Sequence, residues 1–522
     1  MNVETQRPRR TSSTSIPQRL WEPLGWQERP ARKARRRRPG AALALAPLAA
    51  IALTACGGSS APPPPPPAQL ADPLRLTGPS PYPAGCNPPA AGAVVYLGAE
   101  VEPSLAGAPD HPAHLVAAWQ QDRWRDGGAD GLGAAASFDG GSTWTRSDLP
   151  FTICAGGQAG LAWQRASDPW VAILPDGTAL ALGLALDDPW YGTGSAILAS
   201  RSADGGRTWA APAELASEAS TDLQLDKCSL TADPTRPGTA YAVWDRLTGL
   251  DGPASLATGP AWISRTTDGG ASWAPPWILY DPLADAQTIS SQVVVQPDGA
   301  LVNLLVLIRG LGAASPSTEV AVLRSIDAGT SWTGPFTVSA WQEAGLVDPL
   351  GRTAIRAGDL VPAVAVDPGT GALYAAWQDG RFAGGLAAIA FSRSLDGGAS
   401  WSPPARVNGD PSAPAFTPSL AVARSGRVGL GYYDWRIQPA GSGPGLWTTR
   451  WLATSLDGGA TWSEAPDGGP FDLRRAPAVP GYFLGDYAGL AAGADGFTSL
   501  FAMTLFGGGA ERTDLYLGGT PR

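Results

Sequence analysis

Hydrophobic and polar residues alternate along most of this chain in short runs, and each run turns back on a second one after a Gly-, Asp- or Pro-rich break. A period of two predicts half-buried strands joined by tight turns rather than helices. Seven such strand–turn–strand segments begin near Glu102-Pro103-Ser104, Asp168-Pro169-Trp170, Ser229-Leu230-Thr231, Gln292-Val293-Val294, Pro362-Ala363-Val364, Pro418-Ser419-Leu420 and Tyr487-Ala488-Gly489. The first six continue through a shared turn into a fourth strand, whereas the last, residues 481–522, ends after Leu515-Tyr516-Leu517. A ring closes only if the missing strand comes from the other terminus, and Ala93–Leu97 is the expected donor, since closure removes exposed sheet edges.

The shared turn is Ser/Thr-x-Asp-x-Gly-x-Ser/Thr-Trp, at Ser137–Trp144, Ser202–Trp209, Thr266–Trp273, Ser325–Trp332, Ser394–Trp401 and Ser455–Trp462. Its aspartates lie at 139, 204, 268, 327, 396 and 457, at intervals of 65, 64, 59, 69 and 61 residues. A period of that length denotes one supersecondary unit copied many times. The fifth-place glycine supplies a positive φ, Asp and Ser/Thr bond the turn's backbone, and the Trp ring pins the hairpin to its sheet. These six turns read as structural fasteners, not ligand sites.

The six motifs resemble the Asp-box, or bacterial neuraminidase repeat, of the sialidase-like β-propellers, over residues from about 98 to 470. The resemblance implies an all-β propeller with the motif joining the third and fourth strands of each blade. With the segment count it gives a seven-bladed β-propeller with six Asp-boxes; six blades, as in the sialidases themselves, is the alternative.

Composition suits that fold: 66 Gly, 51 Pro and 21 Trp serve many short strands and turns. Residues 1–56 read as a sorting signal, with a basic stretch from Arg32 to Arg38, an apolar run Ala41–Ala55 too short to span a bilayer, and Leu53-Thr54-Ala55-Cys56 resembling a bacterial lipobox. Cys56 is then the lipidated residue, residues 57–90 a Pro-rich linker with Pro62–Pro67 as an extended spacer, and 91–522 the propeller. The expected location is the bacterial envelope, outside the cytoplasm, with the membrane reached through the lipid anchor only and the chain a monomer.

Residues 1–55 hold 11 of the 37 Lys and Arg and 3 of the 46 Asp and Glu, so the remainder carries 26 against 43, a net charge near −17. Such a surface repels nucleic acid. Cys86, Cys154 and Cys228 allow one disulfide in an oxidising compartment, with the pair undetermined. No cofactor is expected; Asp126-Gly-Gly-Ala-Asp130-Gly offers oxygen ligands for calcium without the full set of a calcium-binding hand, and a plain turn is the simpler reading. His111 and His114 sit in a turn-like stretch and read as a solvated loop.

In a propeller, the start of each first strand and the end of each second strand meet at one mouth. The second strands end in Trp119-Gln-Gln-Asp122-Arg123, Asp187-Asp188, Trp244-Asp245-Arg246, Ile308-Arg309, Trp377-Gln-Asp379-Gly-Arg381 and Tyr432-Tyr433-Asp434-Trp435-Arg436. At the first strands stand Glu102, Asp168, Asp226-Lys227, Asp359 and Asp486-Tyr487, Lys227 being the only lysine after the signal. Repetition alone would propagate Asp–Arg pairs as ion pairs that lock neighbouring blades. The sialidases grip a sugar carboxylate with three arginines and use a Tyr nucleophile and an Asp acid/base, and a guanidinium fork suits a carboxylate. What that resemblance implies here is Arg123, Arg246, Arg381 and Arg436 as the clamp with Asp245 and Asp434 beside them, Asp168 as acid/base, and Tyr433 or Tyr487 as nucleophile.

The chain departs from the sialidase pattern in lacking a Phe/Tyr-Arg-Ile-Pro segment, and Glu319, Glu343, Glu464 and Glu511 stand outside the repeated mouth positions. Two functions therefore remain open: an exo-α-sialidase-type hydrolase of acidic glycans, and a non-catalytic propeller binding glycan or a surface protein. The orientation of the mouth arginines separates them.

Overall fold

The computed structural model describes residues 73–505 and 511–520, apart from 91, 158–162, 188–193, 253–255 and 314. The expected signal, Cys56 and the Pro-rich run lie outside the described residues, as does Asp188. Among the described residues the fold is all-β: five sheets hold four strands each, one holds eight and one holds three. The eight-stranded sheet is two meandering units joined by the single pairing of Ala129 with Ala166. The first runs Val95–Gly107, Leu115–Trp124, Ala129–Ser137, Thr145–Leu149; the second runs Arg165–Ile173, Ala179–Leu186, Ser195–Ser202, Ala213–Glu218.

The third to sixth units begin with Leu223–Ala232, Ala286–Val295, Ala363–Val366 and Ala415–Val422. The seventh contains Gly489–Ala492, Phe497–Thr504 and Thr513–Gly519, and its outer strand is Leu74–Arg75, antiparallel to Leu517 and Tyr516. Each unit's first strand packs on the first strand of the next, and Gly489–Ala492 packs back on Val95–Gly107.

The donated strand therefore differs from the expected Ala93–Leu97, because Val95 already pairs with Trp124 inside the first unit. The folded part also starts earlier than position 91. From Leu74 the chain lies along the seventh and first units, with the Thr77 hydroxyl on Glu100, Ser80 on Asp122 and Asn87 on Asp130 at 3.3 Å. Cys86 is bonded to Cys154 across 68 residues, which leaves Cys228 buried as a free thiol.

The units are apolar on both faces, so the core is a series of layers between neighbours. Ala134, Ala136, Val171, Ala181 and Leu198 fill the layer between the first two units, and Leu180, Leu182, Leu230 and Trp244 the next. The repeat-turn tryptophans sit half-buried over these layers: Trp209 on the first–second, Trp273 on the second–third, Trp332 on the third–fourth, Trp401 on the fourth–fifth and Trp462 on the fifth–sixth. Each fastener thus seals its unit to the preceding one.

Inside the turn, Asp139 accepts from the Thr143 backbone N–H at 2.9 Å and from the Ser137 hydroxyl at 2.8 Å, while Gly141 N–H donates to Ser137 at 2.8 Å. The fourth place is left-handed as well as the fifth, with φ 76° at Gly140 and 91° at Gly141; in one copy it is Ala328, at 57°. These bonds hold the exposed Asp139, Asp327 and Asp396 carboxyls down at about 2.

Closing a loop of 68 residues removes denatured-state entropy equivalent to about 4 kcal/mol. The Cys86→Ser/Cys154→Ser variant is expected to lose stability of that order, read as a lowered denaturation midpoint with a steeper slope, since the denatured chain without the crosslink exposes more surface.

Candidate functional site

The first strands carry a repeated irregularity near their N-terminal ends. Register shifts fall between Val101 and Ser104, Ser167 and Trp170, Asp226 and Ser229, Ile289 and Gln292, and Phe416 and Ser419. At each bulge one residue adopts a left-handed conformation: Glu102 (φ 53°), Asp168 (51°), Lys227 (47°), Ser290 (63°) and Thr417 (51°). A bulge re-aims a side chain at local strain, and here it turns polar groups toward the axis of the ring. Gly358 (φ 68°) takes the same conformation just before Asp359 in the fifth unit, and Gly485, just before Asp486 in the seventh, has a positive φ of 131°.

The result is a buried cluster of charge drawn from most of the chain. The Lys227 ammonium bonds Asp486 at 2.6 Å, and the Arg356 guanidinium grips the same carboxylate at 3.0 and 2.5 Å. Asp168 accepts from the Lys227 N–H at 3.1 Å and from the Ser167 hydroxyl at 2.9 Å. Glu102 accepts from the Gln120 amide and from the Asp486 N–H. Arg123, also buried, donates to Gln120 at 2.6 Å and faces the Phe483 ring at 5.2 Å; its Nε has no partner.

Burial and unequal company push these groups apart. Burial, then Asp168 and Asp486, lifts Glu102 to about 8, and burial lifts Asp226 to about 6 and Asp359 to about 7. Burial opposes ionisation of Asp486, but Arg356 and Lys227 outweigh it and hold its carboxyl far below the usual range. Burial likewise opposes the Lys227 charge, and Asp486, Asp168 and Glu102 raise it well above the ordinary lysine value. Burial with Arg356 lowers Arg123 to about 10.

The mouth is capped. Leu346–Val347 pairs with Ala354–Arg356, and this segment between the fourth and fifth units pairs in parallel with Tyr482–Phe483, just ahead of the seventh. Arg474 pins the two stretches through Asp348 at 2.8 and 2.9 Å. Phe483 packs with Tyr96, Val101 and Val479 above the charges. Gly358 is required beneath the cap, since a Cβ there would come within 1.9 Å of the Asp486 carbonyl. Below the charges the axis is a channel of about 120 Å³ lined by Ser104, Trp170, Gln292, Pro418 and Tyr487, smaller than the ~300 Å³ at which small-molecule pockets begin.

The expected clamp arginines end their second strands toward this mouth but are committed to the protein itself. Arg246 bonds Glu218 of the preceding unit at 2.5 Å, and Arg381 forks onto Asp379 at 2.7 and 2.8 Å. Arg436 pairs with Asp434 and with Glu464 at 2.7 Å, and stacks 4.0 Å from the Trp451 ring centre. Asp245 is buried, takes bonds from Thr288 and Ser290, and is lifted by burial to about 7.

Tyr433 lies away from the mouth: its alternation in the strand turns it into the core between the sixth and seventh units, stacked on Phe416 and bonded to the Ala502 carbonyl at 3.0 Å. Tyr487 lines the channel with its hydroxyl on the Pro169 carbonyl at 3.1 Å. Burial raises both phenols. In the loop considered for calcium, Asp126 pairs with Arg165 at 2.7 Å and Asp130 accepts from the Trp124 indole at 2.7 Å. Asp168 alone of the expected catalytic residues belongs to the axial charge cluster; Arg356 went unrecognised because it lies in a linker outside the repeat.

No protein-family model matches the chain, and no curated protein matches it. Solved structures similar to it include sialidases and an arabinanase. A Hadza microbial sialidase shares 16% identity over 74% of this chain and 73% of its own, at a TM-score of 0.44. The Penicillium chrysogenum α-L-arabinanase shares 14% over 85% and 98%, at 0.43. The Trypanosoma rangeli sialidase shares 13% over 68% and 54%, at 0.42. At such values the likeness carries no argument.

Removing one partner of a buried ion network costs roughly 3–5 kcal/mol. Lys227→Met is expected to destabilise by that order in equilibrium unfolding. Glu102, with its folded value near 8, opposes folding increasingly as pH rises from about 4.5 and fully above 8. Glu102→Gln should therefore match the parent midpoint at pH 4 and exceed it by a growing margin toward pH 8, in paired thermal melts.

Proposed function

We propose that the protein is a seven-bladed propeller, exported and lipid-anchored at Cys56, that binds glycan at its mouth without cleaving it. The observation that carries this reading is the cap: Phe483 and Arg356 seal the axial charges from solvent, so Asp168 and Glu102 meet no substrate. The commitment of Arg246, Arg381 and Arg436 to internal carboxylates supports it further, since a sugar carboxylate would have to displace Glu218, Asp379 or Asp434.

Binding is assigned to the rim around the cap. Half-buried aromatic rings stand there on neighbouring units: Trp341 after the fourth, Phe382 at the end of the fifth unit's second strand, and Trp435 and Trp447 on the sixth. Flat apolar faces with polar edges suit the C–H faces and hydroxyls of a sugar ring. The acidic surface favours a neutral glycan over an anionic one.

One observation favours a second reading, hydrolysis: Glu102 is held protonated beside the ionised Asp486, the split of two carboxyls that an acid-catalysed glycosidase needs. Turnover would then require the cap to open.

Fluorogenic sialoside and arabinofuranoside are expected to give no turnover, and a glycan array to give binding that falls about tenfold in Trp447→Ala. Turnover abolished by Glu102→Gln would put hydrolysis in place of this proposal.

A further inference from the structure

The face opposite the mouth carries the repeat turns, and the second residue of each turn projects from it. In the first three units that residue is Phe138, Ala203 and Thr267, and Phe138 is occupied, stacked on His114 at 4.6 Å and under the Arg207 guanidinium at 3.6 Å. In the fourth, fifth and sixth units it is Ile326, Leu395 and Leu456, which are 86%, 76% and 78% exposed. Three neighbouring tips thus hold branched apolar side chains in water. Isolated exposed leucines are ordinary, whereas a row of them on one arc marks a surface that meets something apolar.

The path of the N-terminal segment says what that is. Leu74 pairs with Leu517 near the end of the seventh unit's third strand, the Leu76 N–H donates to Leu515 at 2.8 Å, and the chain then climbs to Glu100 and Asp122 at the mouth. It therefore enters the fold from the face of the repeat turns, at the unit next to Leu456. The residues from Cys56 to Leu74 span at most about 65 Å, so a lipid on Cys56 holds this face near the membrane without the chain having to round the domain. Asp327, Asp396 and Asp457 lie beside the tips as carboxylates held by hydroxyl and backbone donors of their own turns, so the tips enter no deeper than the headgroup region. Among the described residues no helix is long and apolar enough to cross a membrane.

We infer that the repeat-turn face of the fourth to sixth units rests on the lipid surface to which the chain is anchored, with Ile326, Leu395 and Leu456 entering the interface and the capped mouth turned away. The inference rests on the anchoring reading above.

The test uses the full chain, purified from membranes and reconstituted into vesicles of phosphatidylethanolamine and phosphatidylglycerol doped with a lipid-borne quencher. An environment-sensitive fluorophore is placed at Leu395→Cys or Leu456→Cys, and for comparison at Leu97→Cys or Leu350→Cys, exposed positions at the mouth end. All four sites are surface positions, so the variants retain the fold, and Cys228 is buried against labelling. Quenching at 395 and 456 at least about twofold that at 97 and 350 is the expected result. Equal quenching, or more at 97 and 350, overturns the inference. Mass analysis of the Cys56 peptide reads the anchor separately: a lipidated Cys56 without quenching at the tips fells this inference alone, whereas an unmodified Cys56 fells the anchoring reading and this inference together.

Discussion

A four-stranded sheet with apolar residues on both faces cannot stand in water, and that constraint organises the whole molecule. Each unit must be flanked on both sides, so a row of them leaves two raw faces unless it bends round to meet itself. Strands rich in small residues, such as Ala129–Ser137, let neighbouring sheets approach closely, and the tryptophan ending each repeat turn covers the outer margin of the layer behind it. The two oddities of the chain's ends follow from the same demand. The last unit is one strand short, and Leu74–Arg75 supplies it.

Bending the row brings the first strands together at an axis too narrow for large side chains to lie flat. The bulges at Glu102, Asp168, Lys227, Ser290 and Thr417 answer this by lifting one residue per unit out of the pleat. The groups so lifted are charged in the first three units and hydroxylic in the fourth and sixth, and they find partners on distant segments: Lys227 and Asp486 are 259 residues apart. A buried ion pair of this kind is weak as a source of net stability and strong as a selector of arrangement, because any other packing leaves a charge uncompensated. The cluster therefore reads as the part that sets which units face one another across the axis.

The units were legible in the sequence because repetition writes the same period and the same turn many times. The mouth residues were legible by position, since Glu102, Asp168, Lys227 and Asp486 each stand just ahead of an alternating run. Their environment was not. The cap comes from two linkers, 346–356 and 482–483, that carry no repeat, and a two-residue parallel pairing has no signature in hydrophobic periodicity. Arg356 was missed for that reason. Tyr433 and Asp434 show the complementary limit: adjacent residues on a strand face opposite sides, so one entered the core while the other reached the rim, and a shift of one residue in the assumed pleat exchanges them.

Leu74–Arg75 has a consequence for how the protein is made. During synthesis this segment is made long before its partner, Thr513–Gly519. Until Thr513–Gly519 is present, the growing row keeps a bare sheet edge and Leu74–Arg75 has no strand to pair with. The row is thereby closed by strand pairing between segments that stand far apart in the sequence.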